Sequence, residues 1–383
     1  MRVLFVTPRW GPDIAGGAER AARAWGVALA RRGHTVRALT TTATTLDWSP
    51  VLDAGETTDD GVIVERHHAT ARDGDIDRAL RAVGPLAAHL ERTAARRLIE
   101  RQGPVIDGIE DAAQNADVVI AYPYLYWTSL RATEVAGRRT VVHPAAHPEP
   151  LVALSALEPV FTAPGGLVYQ TASERRTVEA HWPTAQVRSL ELAPPLVASA
   201  RERVPWDART IVLAVGRFEH DKGSEALIAL AEALPDPLRV VVAGPVVEPP
   251  RRPSPLQTLG VVSDTRLGQL RAEAIATVIL SRYESYSLAA AESLAAGVPI
   301  VVNGSNDVLV ELATTSGAGI VAADGIDVAA AIVALATDRE LASRLETAAL
   351  AWAQQRPGAD EAVERYEAFL TEVAAHAPTR RRS

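Results

Sequence analysis

The strongest constraint on the fold is an alternation that recurs along the chain. A short β-rich run is followed by a loop of breakers, a helical stretch and another β-rich run. At the N-terminus RVLFVT leads into the loop PRWGPDIAGG. Next comes AERAARAWGVALARRGH, whose apolar residues recur at helical spacing and stop at Gly33, and then TVRALTT. Strand–helix alternation of this kind predicts a parallel sheet flanked by helices. Later strands are expected at GVIVERH, ADVVIAYP, RRTVVHP and GGLVYQT, and one long helix from Asp77 to Gln102.

The pattern breaks at ELAPPLVASARERVPWD, where Pro194, Pro195 and Pro205 read as a linker. It then restarts. RTIVLAVGRF is a strand, EHDKG a loop, SEALIALAEAL a helix and LRVVVAGP a strand; LGVVSD, ATVILS, LAAAESLAAG, VPIVVNG and GAGIVAA supply further units. A chain of 383 residues is long for one core and comfortable for two. The expectation is an α/β protein of two Rossmann-like domains facing across a cleft, an N-terminal one over residues 1–195 and a C-terminal one over 206–359. A last helix, about 360–383, would pack back on the first domain, with TRRRS as a frayed tail. In such folds ligands sit outside the carboxyl ends of the strands, so the loops after strands are where chemistry is sought.

Composition narrows the function. The net charge of −8 and a pI of about 5.7 leave no basic excess for phosphate backbones, which argues against a nucleic-acid binder. With no cysteine, disulfides and thiolate metal sites are excluded. The apolar run in MRVLFVTPRW is too short for a signal segment, and no run of about 18 apolar residues appears, so a soluble cytoplasmic protein is expected. Richness in alanine and arginine suggests a GC-rich bacterial genome. Arg78, Arg81, Arg92, Arg96, Arg97 and Arg101 could touch an anionic membrane surface; a solvated helix face, partly balanced by Glu91 and Glu100, is the favoured reading.

Four loops could hold chemistry. Gly216, Arg217 and Lys222 lie in GRFEHDKG, between a strand and a helix. A helix N-terminus with two added cations suits a diphosphate, although an ordinary polar loop carries the same residues. Gly16 and Gly17 sit at the first strand-to-helix turn, where a ligand could approach the backbone or the chain could simply turn. In SRYESYSLAAAESLAAGVPIV, Glu284 falls before a helix and Glu292 within it, with seven residues between them, among which Ser285 to Leu288 offer backbone N–H groups. A ribose diol would suit the carboxylate of Glu292, and an ion pair with a distant arginine is the alternative. The loop from Asn303 to Asp307 should lie beside this one. His143 ends the strand RRTVV and could donate to a substrate oxygen; Pro144 and Pro148 break any helical metal motif with His147, and His67-His68 reads as a strand end. Neither a G-x-G-x-x-G, a G-x-S-x-G nor a Walker loop is present.

Together these motifs resemble the retaining glycosyltransferases of family 4, which have the GT-B fold. The resemblance is strongest from Arg209 to about Asp338, and its mark is Glu284, seven residues, then Glu292, followed by SLAAGVPIV. It implies that Arg217 and Lys222 hold the donor diphosphate, that Glu292 binds the ribose hydroxyls, and that Glu284 contacts the donor sugar. Backbone groups of Ser287 and Leu288 would lie near sugar and phosphates. Gly17 would face the diphosphate, His143 the transferred sugar, and the backbone around Gly260, Val261 and Val262 the base. The acids would be balanced by ligand hydroxyls rather than by salt bridges. Two departures stand out: Ser285-Tyr286-Ser287 replaces the family's glycine-containing stretch, and APPL replaces its Asn-Gly.

The implied reaction moves a sugar from a nucleoside diphosphate, UDP or GDP, to an acceptor hydroxyl with retention and without a metal or other cofactor. The acceptor would be a small molecule or glycan, such as a natural product or small glycoside. The rivals are a nucleotide-sugar epimerase or sugar phosphorylase of the same fold, and a non-catalytic nucleotide-sugar-binding protein.

Overall fold

The computed structural model describes residues 1–14, 16–196, 201–250, 252–323 and 325–377. The chain forms two compact units, Met1–Pro195 with Gly358–Ser383, and Leu196–Pro357. Both are α/β units built on largely parallel sheets. Part of the expected linker, residues 197–200, and the expected tail TRRRS lie outside the described residues.

In the first unit the strands are β1 (Arg2–Val6), β2 (Thr35–Thr41), β3 (Gly55–Asp59), β4 (Val62–His67), β5 (Val118–Ala121), β6 (Thr140–Val142), β7 (Gly166–Tyr169) and β8 (Arg188–Glu191). They are ordered β3-β4-β2-β1-β5-β6-β7-β8, parallel except for the β3–β4 hairpin. The helices are α1 (Gly17–Arg31), α2 (Ile76–Val83), α3 (Arg92–Gln102), α4 (Ile109–Asn115), α5 (Trp127–Ala136), α6 (Glu158–Thr162) and α7 (Ala172–Glu179). Leu4, Val6, Val119, Ala121 and Val142 join one core with Ile99, Ile109 and Leu130 of the helices.

In the second unit the strands are β9 (Ile211–Val215), β10 (Arg239–Ala243), β11 (Gln257–Thr258), β12 (Ala274–Ile279), β13 (Ile300–Asn303) and β14 (Gly319–Ala322), in the parallel order β11-β10-β9-β12-β13-β14. Its helices are α8 (Ser224–Ala233), α9 (Asp264–Glu273), α10 (Leu288–Ala295), α11 (Asp307–Ser316), α12 (Gly325–Thr337) and α13 (Arg339–Gln355). The side-chain period of two sends β9 to both faces. Val212 and Ala214 pack with α8 and α12 residues such as Leu230 and Ile332. Ile211 and Leu213 pack with Leu267 and Leu270 of α9. A strand covered on both faces reads as an unbroken apolar run, as IVLAV does.

The final helix, α14 (Ala359–His376), belongs to the first unit. Tyr366 is fully buried with its ring 4.4 Å from that of Trp25. Arg32 Nε donates to Glu367 at 2.6 Å, and the His34 ring lies 2.9 Å from the same carboxylate. Gly166 lets the helix in: a Cβ there would stand 2.6 Å from the ring of Phe369.

Three expectations are corrected. The helix expected over 77–102 is broken into α2, a 3-10 turn over Gly84–His89, and α3. Pro85 in the turn has no N–H to continue the ladder, and Glu91 restarts the helix by accepting from Thr93 N and Ala94 N. LGVVSD is not a strand: β11 precedes it, Gly260 turns the chain at φ +67°, and Ser263 caps α9. Strands β3 and β8 were not expected, because GETTD and RSLE are polar edge sequences.

Candidate active site

The loops singled out in the second unit all emerge from the carboxyl ends of its parallel strands. After β9, the chain passes through Gly216 and Arg217 into a 3-10 turn, His220–Lys222, and Gly223 opens α8 in the left-handed region at φ +80°. A side chain at Gly223 would strike the carbonyl of Leu280, the residue that follows β12, at 2.5 Å. Arg282 N donates to Asp221 O at 2.9 Å, which joins the β9 and β12 loops. The β13 loop joins the same assembly through Asn306 Nδ2, 3.1 Å from Arg282 O, and Asn303 Nδ2, 3.4 Å from Ser281 O. Gly244 N donates to Gly260 O at 2.8 Å, which brings Val261 and Val262 to the end of β10. Gly216 N donates to Ala243 O, so Gly216 adjoins them.

Within this assembly Lys222 Nζ donates to Glu284 Oε1 at 2.8 Å and lies 3.5 Å from Tyr283 O. The two side chains are 29% and 15% exposed, so the pair is partly open to solvent. Arg217 Nε donates to Glu219 Oε1 at 2.8 Å. Glu292, in α10, pairs at 2.5 Å with Arg271 of α9, and both are nearly sealed. These pairs correct one expectation: Glu284 and Glu292 each have a cationic partner, and for Glu292 the distant-arginine alternative is the arrangement observed. Arg271 and Glu219 were not singled out in the sequence. The signal for Arg271 was a charge within the apolar stretch LGQLRAEAIAT.

Two helix starts here differ from their neighbours. Ser263, Asn306 and Asp338 accept from backbone N–H groups at the starts of α9, α11 and α13. The starts of α8 and α10 have no side-chain cap. Their leading N–H groups therefore carry the partial positive charge that suits an anion. At the α10 start Ser287 is held at φ +66°, a conformation that favours glycine, and its Oγ is buried without a hydrogen-bond partner among the described residues. Ser285 and Leu288 beside it are half-buried. Tyr286 is buried under Arg356, and burial pushes its hydroxyl up to about 12.

In the first unit Gly16 and Gly17 open α1, also without a side-chain cap. Arg9 and Glu19 form a buried ion pair beneath them, and a Cβ at Gly16 would collide with the Glu19 carboxylate. The expectation that His143 is a cleft residue able to donate to a substrate oxygen is corrected. It is fully buried, stacked on Tyr122 at 4.9 Å, with Nε2 2.7 Å from the Tyr366 hydroxyl. Burial depresses its pKa to about 3, so the ring is neutral. Glu174 is buried as well and accepts from Ala146 N at 2.9 Å and Gln170 N at 2.5 Å, tying the β6 and β7 loops together. Burial raises its pKa to about 8, against the pull of those backbone donors. Among the described residues no cluster of three metal-ligating side chains occurs, and no helix is long and apolar enough to cross a membrane.

Residues 199–352 match the family model described as glycosyl transferases group 1. No curated protein matches the chain by sequence. Among solved structures, sucrose-phosphate synthase from Thermosynechococcus elongatus is similar at a TM-score of 0.72 and 16% identity, over 98% of this chain and 99% of that one. HepE from Anabaena, in complex with UDP-glucose, is similar at 0.68 and 16%, over 97% and 100%. WaaG, a glycosyltransferase involved in lipopolysaccharide biosynthesis, is similar at 0.67 and 15%, over 96% and 99%. The chain thus carries a glycosyl transferases group 1 domain over residues 199–352, and its two parallel-sheet units have the GT-B fold.

Proposed function

We propose that this chain is a retaining glycosyltransferase of family 4, from a bacterium and cytoplasmic, that moves a sugar from a UDP- or GDP-sugar to an acceptor hydroxyl without a metal. The observation that carries the reading is the meeting of Lys222 and Glu284, 62 residues apart, beside two helix starts that no side chain caps. An ammonium has three donors, and the contacts to Glu284 and Tyr283 leave one for a phosphate oxygen. Arg217 adds a second cation on the same loop. The reading gains support from HepE, which binds UDP-glucose.

In the proposed step the bond from the anomeric carbon to the diphosphate oxygen breaks, and a bond to the acceptor oxygen forms on the same face. The acceptor proton passes to the leaving phosphate, so no protein nucleophile is needed. The growing charge on the diphosphate is met by Lys222, Arg217 and the N-terminal N–H groups of α8 and α10. Glu284 would receive hydroxyls of the donor sugar, Glu292 the ribose diol, and the backbone at Val261 and Val262 the base. The first unit would take the acceptor, a natural product or small glycoside. The test is a thermal-shift panel of UDP- and GDP-sugars, followed by NMR of the product's anomeric configuration. A ligand at 100 times its Kd stabilises by about 2.7 kcal/mol. A panel without any stabilising nucleotide sugar overturns the reading, and an inverted product overturns retention.

A further inference from the structure

Arg271 stands in the last turn of α9, and Glu292 in the body of α10 on the other side of β12 in the sequence. Arg271 Nη2 donates to Glu292 Oε2 at 2.5 Å, and the side chains are only 6% and 3% exposed. Taking two ions out of water costs about as much as their attraction returns, so stability alone is a weak reason for such a pair. The surroundings fix both partners. Arg203 donates to Arg271 O at 3.3 Å and to Ala274 O at 2.9 Å, and is itself paired with Glu346 at 3.0 Å, which anchors the end of α9. Next to Glu292, Ser293 Oγ lies 2.8 Å from Thr277 Oγ1 and 2.7 Å from Ala289 O, which ties α10 to β12.

We infer that Arg271 is a positioning residue for nucleotide binding: it locks the Glu292 carboxylate in the orientation that accepts the two hydroxyls of a ribose. The inference rests on the glycosyltransferase reading, in which Glu292 faces that diol. The Arg271 contact engages Oε2 of that carboxylate. Arg271 makes the contact through Nη2 alone, its Nε being buried without a hydrogen-bond partner among the described residues, so one charge-assisted bond in a sealed site holds the carboxylate. A glutamate held in this way binds a ribose without first losing its rotational freedom. The ligand class that follows is a ribonucleoside diphosphate, distinguished from its 2′-deoxy counterpart.

The test is isothermal titration of the full-length wild type, R271K and R271Q with UDP, GDP and their 2′-deoxy forms. The wild type is expected to prefer one ribonucleotide over its deoxy form by about tenfold or more, the worth of a hydrogen bond to a charged group. In both variants that ratio should fall to about threefold or less, with deoxynucleotide affinity changing little. R271K keeps the buried positive charge and carries the test if R271Q does not fold. An unchanged ratio in a folded variant overturns the inference, and so does loss of the fold in both, which makes the pair structural only. A wild type that binds neither nucleotide overturns the glycosyltransferase reading itself. One that binds ribo and deoxy forms equally overturns the Glu292 assignment.

Discussion

The loop after β6 in the first unit and the loop after β12 in the second occupy equivalent ends of parallel strands, yet they use ionisable groups in opposite ways. After β6, His143 is sealed against Tyr366, and Glu174 spends its carboxylate on backbone N–H groups. After β12, Glu284 remains partly open and faces Lys222, and the helix start beyond it is left uncapped by a side chain. The first loop is a piece of architecture. The second keeps a charged pair partly open to solvent beside a helix start that no side chain caps. Equal topological position therefore does not carry equal chemistry, and burial distinguishes the two cases.

The largest effect should come from breaking the open side of this contrast. Lys222→Ala is expected to lower turnover by about 10²-fold or more, the loss typical of one charge-stabilising donor, while stability changes by about 1 kcal/mol or less. A steady-state assay with a stabilising nucleotide sugar, run beside a melting curve, separates the two quantities. Normal turnover would remove Lys222 from the chemistry.

The closed side is broken by pH. Burial places the folded-state pKa of His143 at about 3, below the ordinary value of 6.5. A depressed pKa contributes stability that is present above the unfolded value and lost as pH falls toward the folded one. Between pH 6.5 and about 4.5 the His143 contribution to this loss amounts to about 2 to 3 kcal/mol. Glu174, whose pKa burial raises to about 8, gains stability over the same window and offsets this loss in both proteins, so the difference carries the test: urea midpoints of His143→Gln should rise relative to those of the wild type as pH falls. Equal slopes would mean that the imidazole reaches water after all.

Smaller effects sharpen the comparison. Gly166→Ala would force a Cβ against Phe369 and push α14 away, at a cost of about 1 to 3 kcal/mol read by chemical denaturation. No loss of stability would show that the close packing of the helix yields easily. Ser287→Gly relieves a left-handed residue at the α10 start and should gain about 1 kcal/mol or less, since glycine's extra chain entropy offsets part of the relief. A lower melting temperature in that variant would assign the serine side chain a structural role.

The sheets were legible because parallel strands buried on both faces leave apolar runs such as IVLAV and RVVVA. Strand β3 was missed although Asp60-Gly61, at φ +47° and +88°, is a recognisable hairpin turn, because every residue of GETTD is exposed or half-buried. The break at Gly84-Pro85 was also readable, and helical periodicity on either side concealed it. In the candidate site, Lys222 and Glu284 were visible as types at the ends of strands, but their contact was not. Arg271 with Glu292 and His143 with Tyr366 are 21 and 223 residues apart, so only tertiary packing pairs them. Burial of His143 could not be read from a strand end that looks alike whether covered or open.

The return of α14 to the first unit has a consequence for how the chain is made. Residues 196–357 are in effect inserted into the first unit, whose covering helix leaves the ribosome only after the whole second unit. The second unit is contiguous and can fold before α14 is made, whereas the first holds Trp25, His143 and Gly166 uncovered until that helix has been synthesised. A nascent chain stalled before residue 359 should therefore bind apolar dyes and holdase chaperones through its N-terminal half, and release them when α14 arrives.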